Sequence, residues 1–430
     1  MSFRLGLDFG TSGARACAID EAGAIVHEQR VAYGNPARQT PQDWRSALLV
    51  LLAGLPPKIA ADLQGVAIDG TSGTVLLCDD GLAPLSDALM YDDARAQPQA
   101  ERLASIAPPG HAAPGPTSGL AKFLWLTGRI EQAEYFLHQA DWLTALLSGR
   151  PGISDYHNAL KSGYDIEALR WPDWVSALPH AHLLPEVVSP GADIGAIRAD
   201  IAARFGISPH CRIHAGTTDS TAAFIASGVA EPGVGVTSLG TTLVLKQLSK
   251  RRIEAPEYGV YSHRYGDLWL AGGASNAGAG ILRHFFDDAE LVEYSARIDP
   301  MKDSPLDYYP LSRPGERFPV NDPSLAPRMA PRPADDAAFL HGLLQGLARI
   351  EAAGYARLTE LGAPPLRAVV SNGGGAKNET WRKIRERLLG VPVGTAVQAE
   401  AAYGSALLCS GLPVERHDPS GGESPPRGLR

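Results

Sequence analysis

The chain has 430 residues, 44% of them hydrophobic and 20% charged, enough apolar material for more than one core and too little charge for a disordered polymer. With 39 basic against 47 acidic residues the net charge is −8, which argues against nucleic acid or an anionic membrane surface as a general partner. Four widely spaced cysteines without a C-x-x-C pair argue against a zinc ribbon or disulfide framework, and no apolar run is long enough for a bilayer span; a cytoplasmic protein of two domains is expected.

Phe3, Leu5, Leu7 and Phe9 alternate with Arg4, Gly6, Asp8 and Gly10, the period of a half-buried strand, which puts Asp8 on the side away from the apolar face. Gly10-Thr11-Ser12-Gly13 breaks that strand, and residues 14–19 and 25–33 continue it as an antiparallel meander. Thr40 as cap, Pro41 in the first turn and Asp43 at the reciprocal capping position signal a helix with apolar residues over 44–55. A short buried strand at 65–68 ends in Asp69-Gly70-Thr71-Ser72-Gly73, and helical patterns follow at 94–105, 120–128 and 132–147. Near residue 215 the order starts again, with a strand at 211–215, a turn at Gly216-Thr217-Thr218-Asp219 and a helix at 220–227. Past a linker at 228–233, a strand at 234–238, the turn Gly240-Thr241-Thr242 and a strand at 243–248 repeat the order of residues 3–19, so the chain reads as two related halves. After a loop-rich section at 304–333, Phe339, Leu343, Leu347, Ile350, Leu358 and Leu361 recur at near-helical spacing and predict a core-facing stripe. A strand at 368–371 leads into Asn372-Gly373-Gly374-Gly375 and a helix at 377–389. A final helix at 399–409 precedes a Pro-, Gly- and Ser-rich tail from Pro413 that is expected to be mobile.

The tripeptide G-T-[ST] occurs four times, at Gly10, Gly70, Gly216 and Gly240. Glycine lets backbone amides approach an anion and the hydroxyls add donors, so such turns after strands suit phosphates or sugar hydroxyls. There is no Gly-Lys dipeptide, hence no Walker loop, and no G-x-G-x-x-G between a strand and a helix. Gly373-Gly374-Gly375 before a helix could lie against a nucleoside, with Asn378 and Trp381 on one helical face as hydrogen-bonder and stacking ring, or be a turn over a core tryptophan. Asp8 and Asp219 each abut a G-T-[ST] turn. Asp8 could hold Mg2+ through water, and Asp219, in the first turn of a helix, could accept the proton of an attacking hydroxyl or simply stabilise that helix. His157, Asp93 and Arg95 are loop polar groups suited to sugar hydroxyls. Gly273-Ala274-Ser275-Asn276-Ala277 approaches a nucleophile elbow, but its second glycine is replaced.

Leu7-Asp8-Phe9-Gly10-Thr11-Ser12 resembles the first phosphate motif of the FGGY carbohydrate kinases, relatives of hexokinase and actin. The likeness is collinear through Asp155 to Ala159, Ala215 to Asp219, Glu231-Pro232-Gly233, Ser238 to Thr242, Gly315-Glu316-Arg317-Phe318-Pro319 and Gly373 to Asn378. The resemblance implies an α/β fold of two ribonuclease-H-like domains, 1–226 joined by a helix at 399–411 and 227–398, with ATP and a sugar in a cleft between them and a free tail at 413–430. It implies Asp219 as catalytic base and Asp8 as the Mg2+-side carboxylate. Thr11, Ser12 and Gly13 match the first phosphate loop, Gly240 and Thr241 the second, and Gly374, Gly375 and Asn378 the adenosine motif, while Ser72, His157 and Asp93 would order the sugar. Tyr91 stands where many members carry tryptophan in a W-x-D-x-R motif. The compact length, with Gly70 to Gly73 and Asp155 to Lys161, is most similar to a small branch that phosphorylates D-ribulose. D-xylulose or another polyol is the alternative acceptor, an actin-like sensor with slow ATP hydrolysis the alternative of another class, and a monomer or homodimer the expected assembly.

Overall fold

The computed structural model describes residues 1–108, 111 and 113–411; the tail expected at 413–430 lies outside the described residues. By its internal contacts the chain divides into one unit of Met1–Ala226 with the segment that begins at Glu400, and another of Ser227–Ala399.

In the first unit a six-stranded sheet runs in the order Ile25–Ala32, Gly13–Asp20, Phe3–Phe9, Leu63–Gly70, Arg212–Thr218, Asp193–Ala196. The first three form the expected antiparallel meander, whereas Phe3–Phe9, Leu63–Gly70 and Arg212–Thr218 are mutually parallel. Leu5, Leu7 and Phe9 are wholly buried against Trp44, Leu48 and Leu51 of the helix Pro41–Ala53. That helix starts with a capping box: Thr40 Oγ1 accepts from the Asp43 amide at 3.2 Å, and Asp43 Oδ2 accepts from the Thr40 amide at 2.8 Å. On the other face of the sheet the helix Ala401–Leu408 runs so close that a Cβ on Gly6 would stand 1.8 Å from the Ala402 carbonyl oxygen. Only glycine fits there.

The second unit holds a six-stranded sheet in the order Tyr261–Tyr265, Leu268–Ser275, Leu243–Ser249, Val234–Leu239, Ala368–Asn372, Val393–Thr395. Val234–Leu239 pairs antiparallel with the strand that follows it and parallel with Ala368–Asn372, the arrangement that Phe3–Phe9 has in the first unit. The helix Asp336–Glu360 buries Phe339, Leu343, Leu347, Ile350 and Leu358 as its periodicity requires. No helix among the described residues is long and apolar enough to cross a membrane, and the four cysteines are free.

Two local expectations are corrected. The helical pattern at 132–147 contains the strand Tyr135–His138 before the helix Gln139–Ser148, because Phe136 and Leu137 pair with Leu77 and Leu76 and tertiary pairing outweighs propensity. Gly216-Thr217-Thr218 is no turn: these residues finish the strand, with Thr217 and Thr218 opposite Asp69 and Gly70 after a register shift, and the helix Asp219–Ala226 starts directly behind them.

Candidate active site

Three parallel strands of the first unit end in register, and their ends carry the acidic residues. Asp8 lies opposite Asp69, and Asp69 opposite Thr217, two residues before Asp219 opens its helix. Asp8 and Asp69 are 5% and 0% exposed; Asp219 is half-buried. Burial, with the charge of Asp219, pushes the Asp8 carboxyl up to about 6 although a hydrogen bond from Asp69 and the charge of Arg15 pull it down. Asp69 is raised well above the usual carboxylate range by burial and then by the charge of Asp8. The Ser405 hydroxyl donates to Asp69 Oδ2 at 2.6 Å. Two ionised carboxylates have no hydrogen to share, and Asp69 Oδ1 is then without a partner; a proton on Asp69 completes the pair. Arg15, opposite Asp8 on the next strand, places Nη1 3.8 Å from Asp8 Oδ2 and 2.5 Å from Glu400 Oε2.

The structure brings His157 to this edge. Its Nδ1 lies 2.7 Å from Thr217 Oγ1, and the ring is 1% exposed. Asp155 fixes it there by capping the short helix Tyr156–Ala159, accepting from the amides of His157 and Asn158 and from Asn158 Nδ2. Ser72 and Asp93 are tied to one another's loops through Lys122, which sequence reasoning passes over: its Nζ donates to the carbonyls of Gly73 at 2.8 Å and Met90 at 2.6 Å. Lys122 is fully buried, and that burial pulls its ammonium down to about 8. Asp93 itself is engaged by Arg95, whose Nε donates at 2.9 Å.

The four G-T-[ST] tripeptides separate into two kinds. At Gly10 and Gly240 an added Cβ would meet nothing nearer than 3.5 and 3.6 Å, and Thr11, Ser12 and Thr241 are exposed, as turns that receive a ligand must be. At Gly70 the Cβ would stand 2.8 Å from Gln139 Oε1, and at Gly216 only 1.9 Å from the Ile68 carbonyl oxygen. Those two glycines serve chain packing, and Thr71 and Thr217 are buried in internal hydrogen bonds to Gln139 and His157. The four tripeptides are therefore not alike: the glycines at Gly70 and Gly216 are packed against the chain, although Ser72 behind the first of them stays partly exposed.

In the second unit Gly374 is open, with nothing within 4 Å of the place a Cβ would take, and Gly375 packs on the Trp381 ring. Trp381 is 1% exposed, so its ring is the floor beneath the turn and offers no face for stacking, a correction to the expected nucleoside contact. Asn378 caps the helix Glu379–Leu389 by accepting from the Trp381 amide at 2.9 Å and donates Nδ2 to Ser295 Oγ at 2.8 Å. Ser275 ends a strand instead of topping a strand-to-helix elbow, and its hydroxyl donates to Glu316, which removes the nucleophile-elbow reading.

The family models for the N-terminal and C-terminal domains of the FGGY family of carbohydrate kinases match residues 3–226 and 235–410. The chain belongs to this family. An FGGY kinase moves the terminal phosphoryl group of ATP to a sugar hydroxyl, so this protein is a sugar kinase, and the sugar-free sensor is set aside. It is 28% identical to a xylulose kinase of Streptomyces coelicolor over 95% of this chain and 87% of that protein, and 23% identical to a xylulose kinase of Bacillus subtilis over 95% and 88%. A solved structure described as a xyloylose kinase from Brucella ovis superposes with a TM-score of 0.84 at 25% identity, covering 97% of this chain and 91% of that one. Besides Lys122, one acidic residue of this FGGY kinase escapes a reading by motif, Asp69, which the sequence shows only as a strand end; Glu316, 2% exposed, lies in the collinear segment Gly315 to Pro319 but takes no role from it. For Lys122 and Asp69 the available signal is a lone charge flanked by strongly apolar or glycine-rich chain.

Proposed function

We propose that this FGGY kinase phosphorylates the terminal hydroxyl of a ketopentose, with D-ribulose, giving D-ribulose 5-phosphate, as the first choice. The observation that carries the reading is the convergence of Asp8, Asp69 and Asp219 at one end of three parallel strands, with His157 beside them. Asp219 accepts the proton of the attacking hydroxyl, and Ser72, His157 and Asp93 orient the sugar. Thr11, Ser12 and Gly13 offer backbone amides and hydroxyls to phosphate, Gly240 and Thr241 offer the same, and Gly374, Gly375 and Asn378 shape the adenosine surface. Charge development on the transferred group is offset by these fixed dipoles, which need no reorganisation during the reaction.

The residues present fit a magnesium ion. Asp8 would supply a carboxylate oxygen, its charge facing the strand end beside a second buried acid, and Mg2+ characteristically takes only one or two protein carboxylates along with waters and phosphates. When bound it would draw negative charge from the phosphates.

D-xylulose is the second reading, favoured by the names of the curated relatives. Incubation with ATP, Mg2+ and separate pentuloses, hexuloses and polyols, with products identified by mass and NMR, decides between them. D-ribulose 5-phosphate as the dominant product supports the first choice; D-xylulose 5-phosphate replaces it; ADP without any sugar phosphate refutes both.

A further inference from the structure

We propose that Glu316 is a positioning residue for the Gly240-Thr241-Thr242 turn, holding it in shape through the loop that follows Ser275. This rests on the reading of that turn as a phosphate turn. Four neutral donors lie within 3.0 Å of the buried carboxylate, the amides of Asn276 at 2.8 Å and Arg317 at 2.9 Å on Oε1 and the hydroxyls of Ser275 at 2.6 Å and Tyr309 at 3.0 Å on Oε2, and the Phe318 amide adds a longer bond to Oε1 at 3.5 Å. Among side chains of this length only a carboxylate accepts at both ends with lone pairs enough for four. Asn276 Nδ2 adds a bond to the Gly315 carbonyl at 3.0 Å, closing the loop around the acid.

The chain of contacts runs from there to the turn. Ser275 Oγ, while donating to Glu316, accepts from the Ala277 amide at 3.0 Å. The Ala277 carbonyl accepts from the Leu243 amide at 2.7 Å, and the Ala279 amide donates to the Gly240 carbonyl at 2.8 Å. These two bonds grip the turn on either side of Thr241 and Thr242. Between them the backbones touch: a Cβ on Gly278 would stand 2.4 Å from the Thr241 carbonyl oxygen and 2.6 Å from Thr242 Cα. A shift of residues 276–280 therefore displaces the turn, and Glu316 is the group that anchors those residues from below. Glu316 touches neither phosphate nor sugar in this scheme; it acts through the loop.

The test is calorimetric titration of ADP and AMP into Glu316→Ala and Glu316→Gln, with KM for ATP and for the sugar measured alongside. Removing the carboxylate strands four donors, so Glu316→Ala should bind ADP about tenfold more weakly and raise the ATP KM alike, with AMP affinity and sugar KM unchanged. Glu316→Gln should recover most of the loss, because its oxygen can serve the two amides while the two hydroxyls rotate to accept from its NH2. Equal weakening of ADP and AMP, or no weakening, overturns the proposal. Should Glu316→Ala not fold, Ser275→Ala cuts the next link and should weaken ADP by roughly threefold and leave AMP alone; any other pattern counts against the proposal. Gly240→Val separates the two levels, since the fold has room at that Cβ. If it leaves ADP binding intact, the phosphate reading falls and the role of Glu316 with it; if it weakens ADP binding where Glu316→Ala does not, only the role of Glu316 falls.

Discussion

The two units place different chemistry in one backbone frame. Asp8-Phe9-Gly10-Thr11 and Ser238-Leu239-Gly240-Thr241 each end a strand whose parallel neighbour stands in matching register, but Asp8 faces Asp69 where Ser238 faces Asn372. One strand end is thus a buried acid pair and the other is neutral. A neutral edge can receive phosphate oxygens without repulsion, whereas an acid pair needs a proton or a cation. The same fold, used twice, thus sets an acid pair at one strand end and uncharged side chains at the other.

This contrast can be broken at several points. The largest effect is expected from Asp219→Ala, which should lower kcat for sugar phosphorylation by roughly 10^2- to 10^4-fold and leave ADP affinity near wild type; unchanged turnover in a coupled assay would end its assignment as base. Next is Ser238→Asp, which copies the first unit's acid into the second. It should weaken ATP binding at least about tenfold by charge repulsion, an effect that binding titrations at low and high salt would show shrinking as screening rises.

The glycines sharpen the comparison through stability. Gly216→Ala forces a methyl into the Ile68 carbonyl and should cost about 1–3 kcal/mol or more in denaturant unfolding, while Gly240→Ala, with 3.6 Å of clearance, should unfold like wild type. Similar midpoints for both would contradict the division of the tripeptides into two kinds.

The smallest effect concerns pH. In the folded protein burial pushes the Asp8 carboxyl up to about 6 and holds the Asp69 carboxyl well above the ordinary carboxylate range, so the native state keeps protons that the unfolded chain has released. That contribution is complete below about pH 4 and is lost as pH rises through 6 and beyond. Thermal melts without divalent cations should therefore show wild type losing more stability from pH 5 to pH 8 than Asp69→Asn does. Parallel melting curves would show that the pair carries no excess proton.

What the sequence discloses follows the range of the interactions involved. The Thr40-Pro41-Asp43 cap, the alternation of Phe3 to Phe9 and the Phe339 to Leu358 stripe are local, and each is legible. Tyr135–His138 is a strand only because Val75–Cys78 lies beside it, and Gly216 is a packing glycine only because Ile68 passes over it; neither partner is near in sequence. At the site, Asp8 and Asp219 are legible as acids beside G-T-[ST] tripeptides. Asp69 stands out only once register sets it between them, and Trp381 looks like a stacking ring until its burial is seen.

The helix Ala401–Leu408 has a temporal consequence. It belongs to the first unit, where Ser405 reaches Asp69 and nearby Glu400 reaches Arg15, yet the ribosome makes it after all of Ser227–Ala399. At ordinary synthesis rates the first sheet waits on the order of ten to thirty seconds for it. Throughout that interval Gly6 and its neighbours present an uncovered sheet face and the Asp8–Asp69 pair lacks its hydroxyl. The acid pair is thus finished only when the second unit has already been made.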